Sequence, residues 1–377
     1  MRKVSAVLLG VFSISAAALA DPADAQQPSG WIGNGHTSAY TLRPGEFELS
    51  GHWLRVDDTL DVLDLREEVL RNNNRLTGNS GDLDGSRGHL RVGIWRGMEL
   101  FYSRQQQDLT LKVAPSARAD VADLDEQLQT TSTAWGGKFV FYETANPSPQ
   151  RPWTSAAVQV KYIENETDDF GGYLESLRFD ANINIRLDPP QRFSLDRLQD
   201  DGWQAQLILS HGLGNRLAIS YWAGYGEQDS SSGTSTEIEQ ASLRDAFLQT
   251  FDVSEQVLTA GVSLNWQITQ RLPLQIGYEY IRIQDREAII NSSDSPLVPG
   301  FLRGGNLTAS ADNNHTLYGS LNWWVSPHIY AGITGKLYRN QYTGIMPHYN
   351  NPLSGSFSDI TYGHLELSVG VRFAAFQ

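Results

Sequence analysis

The 377-residue chain contains no cysteine. An exported chain of this length could use disulfides, so their absence argues against a small disulfide-stapled scaffold or a disulfide-linked ectodomain. It also excludes a lipid-modified cysteine, thiolate metal ligands and a cysteine nucleophile.

Long apolar runs occur only at the N-terminus. Met1-Arg2-Lys3, the apolar run 4–20 and small residues at 18–20 and 23–25 predict a signal peptide over residues 1–25. Beyond it no run of about 18 apolar residues occurs, and mean hydropathy is −0.36. A membrane-spanning interpretation of the mature chain must therefore use strands.

Positive charge is also scarce. The chain has 29 Lys and Arg against 43 Asp and Glu, a net charge of −14. Because binding the phosphate backbone needs a basic surface, nucleic acid is not an expected partner.

The clearest pattern in the chain is Tyr173–Leu187, where apolar residues alternate with polar and charged ones. A period of two is that of a β-strand, and 15 residues exceed the roughly 9–11 that a tilted membrane strand needs. An apolar face opposite a charged face suits a wall between lipid and water. We therefore predict that this stretch is one strand of a transmembrane barrel.

Similar alternation recurs along the chain, from a first strand at Glu46 to a last strand at 365–373, with short turns alternating with long loops. About thirteen strands are clear, whereas closure requires an even number. A short extra strand at 192–198 would give about 14, which we favour. Folding of Tyr173–Leu187 back into an external loop would give about 12.

Three segments resemble those of Gram-negative outer-membrane β-barrels: the signal peptide, the Thr41–Leu49 opening (TLRPGEFEL) and the alternating C-terminal strand that ends in aromatics. The resemblance identifies a porin-like class and no specific family. It implies an all-β, antiparallel up-and-down barrel over residues 46–377, preceded by an N-terminal lead-in at 26–45. It also implies location in the cell outer membrane, among lipid and lipopolysaccharide.

Tryptophans support the membrane interpretation, because most fall near strand ends, where an apolar ring with an N–H donor suits the headgroup region. Three long external loops also carry helical spacing of apolar residues, at 59–76, 117–128 and 239–251. We expect short helices there, either narrowing the barrel mouth or contacting a periplasmic or outer-membrane protein partner.

Charged residues on the polar rows must face inward, since charge on the lipid face costs roughly 2–4 kcal/mol at mid-bilayer. Both signs are present, which favours a channel for passive passage of small polar or charged solutes. The alternatives are an export barrel for a polysaccharide or other polymer, and a non-conducting structural or adhesion barrel. The predicted pore-lining residues are Arg178, Asp180, Asn182, Asn184, Arg186, Glu279, Lys336 and Arg372.

No motif for catalysis or metal binding is apparent. Ser210 and His211 are adjacent and would point to opposite faces of a strand, so they could not share a proton. We therefore expect no enzymatic activity, no cofactor and no metal site. With about 20 residues between cleavage and Glu46, we expect no separate plug domain and no active uptake.

Overall fold

The computed structural model describes residues 38–57, 80–112, 119–122, 127–144, 152–178, 184–214, 216–238, 250–291, 313–339 and 361–374. The predicted signal peptide and residues 26–37 of the lead-in lie outside these ranges, so both assignments stay predictions.

The described residues form fourteen strands, and all of their pairings are antiparallel. They are β1 (Glu46–Asp57), β2 (Ser80–Trp95), β3 (Met98–Lys112), β4 (Ala119–Ala122), β5 (Gln127–Glu143), β6 (Thr154–Thr167), β7 (Phe170–Arg178), β8 (Asn184–Gly212), β9 (Leu217–Thr236), β10 (Thr250–Thr269), β11 (Leu272–Asn291), β12 (Asn313–Trp324), β13 (Ile329–Arg339) and β14 (Thr361–Ala374).

Twelve of these strands close into a barrel in the order β1-β2-β3-β5-β6-β8-β9-β10-β11-β12-β13-β14, and β14 pairs back onto β1. Closure leaves the wall with no free strand edge, which a bilayer requires because it offers no water to unpaired backbone groups. The short connections, including residues 96–97 and 270–271, share one end with the start of β1 and the end of β14. By the usual arrangement of such barrels this end is periplasmic.

The prediction of 14 barrel strands is wrong, and the 12-strand alternative is confirmed. The stretch Tyr173–Leu187 is not one membrane strand: β7 and the start of β8 form a hairpin in which Arg178 pairs with Asn184. The hairpin and β4 lie beside the wall on the side of the long connections. Residues 192–198 belong to the continuous 29-residue β8. Alternation could not separate these cases, because a hairpin strand has the same period of two.

Among the described residues, none of the expected loop helices is seen. Within 117–128, residues 119–122 form β4 and residues 127–128 begin β5, so strand pairing overrides the helical spacing. The segments 59–76 and 239–249 lie outside the described residues, and residues 250–251 begin β10. No helix in the described part of the chain is long and apolar enough to cross a membrane.

The outer surface carries a band of exposed apolar side chains. Leu100, Leu207 and Leu367 are 50%, 53% and 53% exposed. Aromatic side chains flank this band at both ends: Trp95, Trp266, Trp323 and Phe373 on the periplasmic side, and Tyr102, Trp135, Tyr225 and Tyr278 on the opposite side. A continuous apolar surface of this kind between aromatic girdles is typical of a barrel embedded in lipid.

A charge placed within the band should therefore impair insertion. We expect Leu207→Arg to destabilise the barrel in lipid vesicles by roughly 2–4 kcal/mol, because Leu207 lies between the two girdles. Tyr173→Arg, on the β7 hairpin beside the wall, should change stability by less than about 1 kcal/mol. Urea titration of the folded fraction in vesicles distinguishes the two, and an equal loss from both would contradict this placement of the band and the hairpin.

Candidate functional site: the barrel interior

The described part of the lead-in lies inside the periplasmic end of the barrel. Residues 38–42 are 0–6% exposed, although no strand contains them. The segment crosses the interior from the β1–β2 side to β6 and β8. At its end a turn brings Gly45 N to donate to the Gly93 carbonyl at 2.8 Å, and β1 then begins.

At least four hydrogen bonds attach the segment to the wall. The Ala39 N–H donates to Ser210 Oγ at 2.9 Å, and Ser155 Oγ donates to the Ala39 carbonyl at 3.5 Å. Lys138 Nζ donates to the Tyr40 carbonyl at 2.9 Å. The Leu42 N–H donates to Glu99 Oε2 at 2.9 Å. Wall side chains thus pair backbone groups that would otherwise be buried without partners.

Gly93 allows the lead-in to approach the wall closely. A Cβ at this position would lie 2.0 Å from the carbonyl oxygen of Arg43. Any larger residue would therefore displace the segment at the point where it enters the barrel.

Apolar packing fills the space around the segment. Ala39 packs with Ile208, Trp222 and Tyr318, which come from different parts of the wall. The Trp222 ring lies against Gly261, where a Cβ would be 2.1 Å away. Tyr40 stacks on Trp153, with ring centroids 4.4 Å apart. Packing from several sides closes this end of the lumen around the lead-in.

A buried network of charges adjoins the segment. We call it the ionic cluster: Glu48, Arg91, Glu99, Lys138 and Arg372. Arg91 makes a bidentate pair with Glu99, at 2.9 and 2.7 Å, and its third nitrogen lies 3.5 Å from Glu48. Arg372 binds the other oxygen of Glu48, while Lys138 Nζ lies 4.0 Å from Glu99. Because these side chains are at most 12% exposed, each charge depends on its partners and not on water.

A second set of charges lies farther from the periplasmic end. We call it the middle belt: His52, Arg87, Lys161, Glu279, Lys336 and Glu366. Arg87 Nη2 and His52 Nδ1 both bind Glu366 Oε1, at 2.7 and 2.5 Å. Lys161, Glu279 and Lys336 are half-buried, in contrast to the closed ionic cluster. The belt is therefore the part of the charged interior that solvent reaches.

A polar layer lies inside the barrel beyond the girdle on the side of the long connections. Asn165 Nδ2 donates to Asp200 Oδ1 at 2.5 Å, and Gln228 also bonds this carboxylate. Asp200 and Glu255 are 3% and 4% exposed. These acids are covered, so they do not present charge to the lumen as the middle belt does.

Six of the eight predicted pore-lining residues lie in the described part of the chain, and the structure places them in two groups. Glu279, Lys336 and Arg372 lie on the inward rows of β11, β13 and β14. Arg178 and Asn184 pair with each other in the β7–β8 hairpin, and Arg186 is exposed in the part of β8 that pairs only with β7. Asp180 and Asn182 lie outside the described residues. A role in conduction stays a prediction for the whole set.

Sequence reasoning missed the lead-in as part of the interior. The available signal was the small apolar stretch Ala39-Tyr40-Thr41-Leu42, which follows a polar, glycine-rich segment and precedes the first strand. Its wall partners are as far as 171 residues away in the sequence, so no local pattern could identify them.

The described residues include no group of three or more His, Asp or Glu side chains arranged to hold a metal ion. Ser210 faces inward and bonds Ser220 Oγ at 2.7 Å, whereas His211 bonds Thr154 Oγ1. The two therefore lie on opposite faces, as predicted. The expectations of no metal, no cofactor and no catalysis stay predictions.

No protein-family model and no curated protein sequence matches the chain. Among solved structures, it is similar to the translocator domain of autotransporter NalP from Neisseria meningitidis, at 8% identity and a TM-score of 0.46, over 89% of this chain and 90% of that one. It is similar to the toluene transporter TbuX of Ralstonia pickettii, at 8% identity and a TM-score of 0.45, over 88% and 90%. It is also similar to the outer-membrane protease OmpT of Escherichia coli, at 9% identity and a TM-score of 0.33, over 89% and 99%.

Because one fold can host unrelated functions, the function of this chain has to be derived from the interior of its own barrel. The class follows from the chain's own features: a closed, even-stranded antiparallel wall with an exposed apolar band and two aromatic girdles. The chain is an outer-membrane β-barrel protein, located in the cell outer membrane.

The ionic cluster should stabilise the periplasmic end strongly. We expect Arg91→Met to lower the free energy of unfolding by roughly 3–5 kcal/mol, because Glu99 loses its bidentate partner in a buried site. Arg55→Met is the matched control. Arg55 lies 3.7 Å from Asp84, both side chains are more than half exposed, and its loss should cost at most about 1 kcal/mol. Guanidinium titration in vesicles measures both, and a small change for Arg91→Met would contradict a structural role for the cluster.

Proposed function

We propose that the barrel is a passive channel for small polar or charged solutes, narrowed at its periplasmic end by residues 38–42 of the lead-in. The observation that carries the proposal is the middle belt. Its side chains Lys161, Glu279 and Lys336 lie inside the wall at mid-height and are half-buried, so they keep contact with solvent. Charges in such a lumen provide the field and the hydrogen-bonding groups that select solutes in channels.

The lead-in provides the means of opening. Residues 38–42 belong to no strand, and only the turn at 43–45 joins them to β1. Their displacement breaks no pairing of the wall. We therefore propose that solute passage accompanies movement of this segment away from Ser155 and Ser210, while the twelve-stranded wall stays closed.

Under this proposal the protein is neither an enzyme nor an active importer. Its surroundings are lipid and lipopolysaccharide, and its substrate is a small solute.

One observation favours a second candidate, a non-conducting structural barrel: apolar packing around Ala39 fills the periplasmic end. A polymer export barrel with a protein partner has no such observation in its favour.

The absence of native cysteine allows a direct test. Ala39 N lies 2.9 Å from Ser210 Oγ, which places the two Cα atoms within the span of about 4.4–6.8 Å that a disulfide bridges. In planar bilayers we expect discrete conductance steps from the native protein. The doubly substituted Ala39→Cys, Ser210→Cys protein should give none when oxidised, because the lead-in is then fixed in the lumen, and reduction should restore them.

The single Ala39→Cys variant controls for the substitution and should conduct under both conditions. Steps of native size from the fully cross-linked protein would show that the lead-in does not gate the barrel. Absence of conductance steps from the native protein, with folding verified by its resistance to urea, would instead support the non-conducting candidate.

A further inference from the structure

Three charged side chains of the middle belt lie at one level of the lumen. Lys161, Glu279 and Lys336 are each the seventh residue after the first residue of their strand, Thr154, Leu272 and Ile329 respectively. All three strands begin at the periplasmic end. Equal distance along equally oriented strands places these side chains at a common height.

The two lysines occupy opposite walls. In the closed order of twelve strands, β6 and β13 are separated by five strands on either side. Both lysine side chains face inward. Glu279 of β11 acts electrostatically on both of them, and Glu366 also acts on Lys336. A solute that passes this level must therefore pass between two ammonium groups.

These lysines differ from the other inward-facing cations of the wall. Arg87 pairs with Glu366, Arg91 and Lys138 lie against Glu99, and Arg372 pairs with Glu48. In the part of the wall that the structure describes, neither Lys161 nor Lys336 makes a direct ion pair or hydrogen bond. Both are half-buried, so their charge is available to a solute in the lumen.

The balance of charge at this level is positive. Arg87, Lys161 and Lys336 face two carboxylates, and Glu366 is already bound by Arg87 and His52. Glu279 is the carboxylate that acts on both Lys161 and Lys336, and neither lysine has a direct partner among the described residues. The level therefore carries an excess of positive charge in a chain whose overall charge is −14.

Resting on the proposed channel function, we propose that Lys161 and Lys336 form an anion-binding site across the lumen and make the channel selective for small organic anions such as carboxylates. An ammonium group is a compact, strongly hydrated point charge that pairs with a carboxylate while solvent remains. Glu279 limits the strength of binding, so that an anion held between the lysines is also released. Conduction needs this balance, because a site that binds too tightly blocks the pore.

The test is the reversal potential of the native channel under a KCl gradient. We expect chloride to be more permeant than potassium. A unit charge about 5 Å from a passing ion in a water-filled lumen changes its population about fourfold. Lys161→Met and Lys336→Met should each lower the chloride-to-potassium permeability ratio by about sixteenfold, because loss of the charge lowers the chloride population and raises the potassium population by about fourfold each. The double variant should lower it further, and Glu279→Gln should raise it.

Two substitutions serve as controls. Lys161→Arg keeps the charge and should keep the selectivity. Arg104→Met removes an exposed cation from the outward row of β3 and should leave the ratio unchanged. Citrate added to either side should reduce the chloride current of the native channel, and reduce it less in the double lysine variant.

The outcomes separate the two proposals. The anion site would be overturned if both lysine variants kept the conductance steps and an unchanged chloride-to-potassium permeability ratio. It would also be overturned if the native channel preferred potassium. Either result would leave the channel function standing. Absence of steps from folded native protein would overturn the channel, and the selection of anions with it.

Discussion

The carboxylate of Glu99 is the interaction on which the periplasmic end depends. It binds Arg91 through both oxygens, lies beside Lys138 and accepts the backbone N–H of Leu42. One side chain of β3 thus joins the β2 wall, the β5 wall and the lead-in. Since the group is 2% exposed, none of these partners can be exchanged for water without loss. The closed state of this end follows from satisfying one buried charge.

The interior consequently has two zones that differ in how their charges are stabilised. Around Glu99 every charge is paired with an opposite charge, and the network has a structural role. A low-dielectric site tolerates ions only when such a network is complete. At the middle belt, solvent contact lowers the cost of ionisation, and Lys161 and Lys336 remain without direct partners in the described part of the wall. The first zone holds the lead-in in place, and the second presents charge to whatever enters. The charges that stabilise the fold and the charges proposed to select solutes therefore lie at different levels of one barrel.

Much of this arrangement could be predicted from the sequence, because alternation decides which face a residue occupies once the strand is known. Glu279, Lys336 and Arg372 fall on the inward rows for that reason. The strand count could not be predicted, since Tyr173–Leu187 alternates equally well as a membrane strand or as the β7–β8 hairpin. The position of the lead-in was also missed, because its partners Glu99 and Ser210 are 57 and 171 residues distant in the sequence. Periodicity in the sequence indicates local geometry only. The strand count and the position of the lead-in depend instead on contacts between residues that are distant in the sequence.

Within the described residues, the turn that precedes β1 joins residues 38–42 of the lead-in to the barrel wall. Withdrawal of these residues from the lumen therefore requires the loss of their own contacts and no rearrangement of the wall. Each of the hydrogen bonds that attach them to the wall contributes about 0.5–1.5 kcal/mol, and Ala39 and Tyr40 add apolar contacts. In the proposed channel, these contacts keep the open probability low but adjustable in small steps. Loss of a single hydrogen bond would shift it by up to about tenfold, since 1.4 kcal/mol corresponds to a factor of ten.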